Sequence, residues 1–122
     1  MLKVSKNGDE LLLGTFWGSS DDEHGYFLDI DEEGNVHIYG QTTGSMPITS
    51  GVFASQLGSP QFISAFNSTL DELIYSTVIG EGPGGAGYDF SNNNVDFVPV
   101  AFMVDKCNNI YFSGYGLSLI HI

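Results

Sequence analysis

At 122 residues the chain is long enough for one compact domain and short for two. Fifteen acidic residues against three basic ones leave a net charge of −12, which repels phosphate backbones and anionic membrane surfaces and argues against nucleic-acid binding. Sixteen glycines with nine Phe and six Tyr favour strands and tight turns, and Gly, Pro, Ser and Asn interrupt every stretch before a helix of three turns accumulates.

The elements are expected in the following order. Residues 3–6 read as the tail of a strand, turned at 6–9 into a β-rich run at 11–17. A polar connection, 18–25, leads to strands at 26–31 and 36–42, joined by a tight hairpin in which Gly34 can take positive φ. Residues 41–60 form a long loop with a helical turn near 52–57. Strands at 61–66 and 72–79 complete a four-stranded antiparallel meander. A Gly- and Asn-rich connection, 81–99, precedes strands at 100–105 and 110–115. Ala101-Phe102-Met103-Val104 is apolar on both alternating faces, as required of a sheet packed between two neighbours.

Two blocks recur. Asp9-Glu10-Leu11-Leu12-Leu13-Gly14-Thr15-Phe16-Trp17-Gly18 returns 62 positions later as Asp71-Glu72-Leu73-Ile74-Tyr75-Ser76-Thr77-Val78-Ile79-Gly80. Ile30-Asp31, followed by Gly34-Asn35-Val36-His37-Ile38-Tyr39-Gly40, returns 74 positions later as Val104-Asp105, followed by Asn108-Asn109-Ile110-Tyr111-Phe112-Ser113-Gly114. The offsets differ by 12, which places an insertion of that length between Gly80 and Ala101. A unit of such period usually stacks on copies of itself because it cannot bury its apolar face alone.

These blocks, together with Asp21-Asp22-Glu23-His24-Gly25-Tyr26 and Met46-Pro47-Ile48-Thr49-Ser50-Gly51-Val52-Phe53, resemble the SBBP repeat, the seven-bladed β-propeller repeat of bacterial secreted and surface proteins. The likeness runs from about Val4 to Gly116, and the enlarged second copy departs from it between Gly82 and Pro99. A looser likeness links the enlarged copy to repeats of adhesin-like or gliding-associated proteins. The resemblance implies an all-β propeller segment: residues 1–17 as the outer hairpin of one blade, 18–80 as a complete blade, and 81–116 as the connection and inner hairpin of the next. It also implies a non-enzymatic scaffold outside the cell or on its surface, with neighbouring blades, surface protein or glycan as partners. Residues 117–122, Leu-Ser-Leu-Ile-His-Ile, resemble translated sequencing-adapter read-through and are expected to be non-native. The competing fold is a β-sandwich of about seven strands.

Motifs that carry chemistry are sparse. Asp29, Asp31 and Glu33 match the opening of an Asp-rich calcium loop. The position that should supply a bidentate glutamate is Gly40, however, and Met103 stands in place of Asp29 in the second copy, so a plain hairpin turn fits better. The lone Cys107 makes neither a disulfide framework nor a zinc site. Residues 82–87 lack the lysine of a phosphate loop, residues 1–8 lack the apolar core of a secretory signal, and no apolar run is long enough for a membrane span.

Meander geometry puts the short turns at one end and the segments 18–25, 41–60 and 81–99 at the other. A binding face is therefore expected at the long-loop end, populated by Asp21, Asp22, Glu23, Tyr88, Asp89, Asn92 and Asp96. Two other readings stay open: a glycan hydrolase or lyase with carboxylates near a propeller axis, for which Asp29 is the candidate, and a calcium-dependent adhesion module.

Overall fold

A computed structural model describes residues 1–55, 57–80 and 97–116. These residues are all β: β1 (Leu2–Val4), β2 (Leu11–Gly14), β3 (Glu23–Ile30), β4 (Val36–Thr42), β5 (Gln61–Phe66), β6 (Leu73–Ile79), β7 (Phe97–Val104) and β8 (Ile110–Gly116). A four-stranded antiparallel sheet, β3-β4-β5-β6, lies between two hairpins, β1-β2 and β7-β8.

Four features differ from expectation, the first being that β7 begins at Phe97, inside the connection expected at 81–99, because its pairing continues past the bulge to Phe97↔Gly116. Strand β3 begins at Glu23, not residue 26, because a bulge at Tyr26, between Gly25↔Gly40 and Phe27↔Tyr39, lets pairing continue to Glu23↔Thr42. The run 11–17 pairs only to Gly14, opposite Leu2; beyond it Phe16 is fully exposed and Trp17 turns onto the central sheet. Residues 52–55 form no helical turn. Gly51 has φ +80°, and the segment instead runs beside β6, with the amides of Thr49 and Ser55 donating to the carbonyls of Ser76 (3.0 Å) and Val78 (2.9 Å). The outer edge of the sheet is thereby partly capped by its own loop.

The hairpins share their backbone design. The bounds of β3 and β4, moved by 74 positions, are those of β7 and β8, and the bulge between Gly25 and Phe27 recurs between Pro99 and Ala101. Both turns are closed alike, Gly34 N to Asp31 O at 3.0 Å and Asn108 N to Asp105 O at 3.0 Å, and each then takes a left-handed residue, Gly34 at φ +87° and Asn108 at +62°. At an offset of 62 the pair Val4↔Leu11 matches Phe66↔Leu73, the bulge between Lys3 and Val4 matches that between Ala65 and Phe66, and left-handed Gly8 matches left-handed Leu70. Ser5 Oγ accepts the amides of Asp9 and Glu10 as Asn67 Oδ1 accepts those of Asp71 and Glu72.

Strand alternation gives the central sheet two faces, each covered in part. On one, Met46, Phe62 and Val78 are buried with Trp17 and Ile38 against them, and the Trp17 ring meets Phe66 edge-on at 5.2 Å. On the other, Tyr39 is fully buried beside Phe27 and contacts Phe102 (5.7 Å) and Phe112 (5.3 Å) of the β7-β8 hairpin. Central strand β5 is buried along its whole length. Gly40 is required by this packing: a Cβ there would strike the His24 carbonyl oxygen and lie 2.7 Å from Phe62 Cζ.

Candidate functional site

The register of the sheet brings Glu23, Thr42, Gln61 and Ile79 to one end, so residues 18–22 and 43–60 leave the scaffold together. These two segments are joined: Thr43 N donates to Asp22 O at 2.9 Å and Asp22 N to Thr43 Oγ1 at 3.1 Å. Gly44 lies so close to Ser19 and Asp21 that a side chain would not fit. Asp21 and Asp22 are exposed on this end, and the companion loop exposes Phe53 and Leu57.

Glu23 differs from its two neighbours. It belongs to β3, and its carboxylate accepts the hydroxyls of Ser19 and of Thr42, the latter at 2.8 Å, so it clasps the loop base. Tyr88, Asp89, Asn92 and Asp96 lie outside the described residues, as do the remainder of the expected insertion through that point and the hexapeptide 117–122.

The calcium-loop candidates are already engaged. Asp29 Oδ1 accepts Ile30 N at 2.9 Å, and its Oδ2 reaches across to Val104 N of β7 at 2.8 Å. Asp31 Oδ1 accepts Glu33 N and Asn35 N, and its Oδ2 accepts Asn35 Nδ2 and His37 Nε2, each at 3.0 Å. Glu33 makes only a long contact of 3.4 Å to Asn35 Nδ2. Among the described residues no three His, Cys, Asp or Glu side chains are grouped to hold a metal.

Asp31 leads into a buried chain that sequence reading did not single out. His37 Nε2 lies 3.0 Å from Asp31 Oδ2, and His37 Nδ1 lies 3.2 Å from the Tyr75 hydroxyl. The tautomer with its proton on Nε2 satisfies both contacts, donating to Asp31 and accepting from Tyr75. Burial works against ionisation of Asp31, but hydrogen bonds from His37, Asn35 and the turn amides outweigh it and hold the carboxyl at about 2. Burial, with the nearby Asp31 charge, pushes Tyr75 up to about 12, keeping it a donor. Asp31 and His37 are 8% and 4% exposed, so these two side chains brace the hairpin from within the fold, while Tyr75 is half-buried. A signal for it existed: Asp31 and His37 are six residues apart, and so are Asp105 and Tyr111, which are also hydrogen-bonded.

A second inner chain runs from Trp17 Nε1 to Ser64 Oγ (3.0 Å) and on to Ser76 Oγ (2.9 Å). It fixes the position of the preceding hairpin on the sheet and was hidden because its members come from three separated segments. Among the described residues no helix is long and apolar enough to cross a membrane. Comparison with protein-family models, curated proteins and solved structures finds no match.

Proposed function

We propose that the chain is a segment of a β-propeller within a large secreted or cell-surface bacterial protein, and that it acts without catalysis as a scaffold contacting protein or glycan through its long-loop end. One observation carries this reading: the hairpins that precede and follow the central meander reproduce its own two halves in register, bulge and turn, and the β7-β8 hairpin packs on one of its faces. Radial stacking of like sheets is the arrangement that makes such hairpins useful. Asp29 adds to it, because its carboxylate ties one sheet to the backbone of the next. The joined loops 18–22 and 43–60 supply a loop surface on the sheet, with Asp21 and Asp22 exposed to hydroxyl or amide donors.

The architectural half is tested by expressing tandem copies of residues 18–80. One copy number should give a monodisperse, cooperatively melting ring, and failure of every length from four to eight copies to do so would refute the propeller. The binding half is tested on glycan arrays and immobilised surface proteins. Binding should fall at least tenfold in the Asp21→Ala, Asp22→Ala double variant; unchanged binding would move the contact elsewhere.

A further inference from the structure

Asn7 is the one asparagine of the chain followed by glycine, and it stands in the turn between β1 and β2. Asn35, Asn67 and Asn109 hold their carboxamides in place, donating from Nδ2 to Asp31 (3.0 Å), Asp71 (2.6 Å) and Asp105 (3.0 Å). Asn7 is exposed, and its side chain makes no hydrogen bond to the described residues. Gly8 takes φ +75°, and nothing lies within 4 Å of the place a Cβ would occupy on it. We propose that Asn7 is a site of spontaneous main-chain modification, where a succinimide closed on Gly8 converts it to isoaspartate and aspartate.

The reacting groups belong to adjacent residues, so the step is intramolecular. The Gly8 nitrogen bonds to Asn7 Cγ, the Cγ–Nδ2 bond breaks, and the Gly8 amide proton leaves with Nδ2 as ammonia. Water then opens the ring at either carbonyl. Attack at Cγ restores the ordinary peptide link and leaves aspartate; attack at the main-chain carbonyl routes the chain through Cβ and Cγ as isoaspartate. A side chain on the following residue obstructs closure, and glycine has none. The attacking nitrogen is held by the Ser5 carbonyl at 2.9 Å, so closure proceeds when the turn opens. Strands β1 and β2 are short and exposed along nearly their whole length, and such opening needs little free energy.

Exposure belongs to this turn position itself: Thr69, the counterpart of Asn7 at the offset of 62, is also exposed within the complete four-stranded sheet. Asn108 is the nearest competitor, exposed and left-handed at φ +62°. The side chain of Asn109 crowds its ring closure, however, and the Asn109 nitrogen donates to Asp105 Oδ1 at 2.8 Å. Isoaspartate at residue 7 adds a methylene to the main chain and a negative charge beside Asp9 and Glu10. The bond from Ser5 N to Glu10 O, 2.8 Å in the unmodified turn, should therefore weaken in an aged chain.

The test stores the full chain in mildly alkaline buffer and follows each asparagine by peptide mapping with mass spectrometry. Asn7 should convert at least tenfold faster than Asn35, Asn67, Asn108 and Asn109, yielding both isoaspartate and aspartate. Gly8→Leu copies the counterpart Leu70, which holds φ +60°, and should slow the conversion at least tenfold. That readout is chemical and holds whether or not the variant hairpin folds. An intact Asn7, equal or faster conversion at one of the other four, aspartate without isoaspartate, or an unchanged rate in Gly8→Leu overturns the proposal.

Discussion

The β3-β4 and β7-β8 hairpins have the same length, register, bulge and turn, yet β4 is largely buried whereas its counterpart β8 is largely surface. Tyr39 is fully buried, whereas its counterpart Ser113 is exposed; Asp31 is buried under His37, whereas Asp105 is only half-buried. Turn and bulge thus define the hairpin locally, and burial is conferred by the neighbouring β5-β6 pair and by the sheets on either side. Side-chain chemistry follows burial: the first hairpin carries Asp31 and His37, joined to Tyr75 of β6, and the more open one carries Met103 and Tyr111.

The sharpest break in this comparison is Tyr39→Ala. Emptying the space beside Phe27, Phe102 and Phe112 should cost about 3–5 kcal/mol in urea unfolding, while Ser113→Ala should stay within about 0.5 kcal/mol. Gly40→Ala should follow at about 1–3 kcal/mol, because the added methyl meets the His24 carbonyl and the Phe62 ring.

Acid sensitivity separates the two aspartates next. Asp31 is held well below the ordinary carboxylate range in the folded chain, so between pH 4 and 2 the unfolded state binds the extra proton and stability falls as pH falls. Asp31→Asn should flatten that part of the thermal-melting profile, and Asp105→Asn should change it less, since Asp105 is less buried. The smallest effect concerns calcium: with both oxygens of Asp31 engaged by the turn and His37, adding millimolar calcium should leave the melting temperature within replicate error. A rise abolished by Asp29→Asn and Asp31→Asn together would restore the calcium reading.

The recurring Asp-Glu-Leu run and the Gly34 and Asn108 turns made the hairpins legible in sequence, because strands, turns and their spacing are local properties. The extension of β3 back to Glu23 was not legible, since it depends on a bulge that places His24 and Glu23 opposite Gln41 and Thr42. The path of residues 49–55 was equally hidden: Ser and Thr there find backbone partners on β6, which only the assembled sheet supplies. At the long-loop end the sequence placed Asp21 and Asp22 on the surface but gave no sign that Glu23 clasps the loop base, because Ser19 and Thr42 become its neighbours only when the strands pair.

Trp17, the chain's single tryptophan, donates its indole proton to Ser64 while its ring rests edge-on against Phe66. The molecule therefore contains its own optical gauge of inter-sheet seating. If the first hairpin lifts from the central sheet, the indole passes from a serine hydroxyl to water, and its emission should shift to the red before the meander itself unravels.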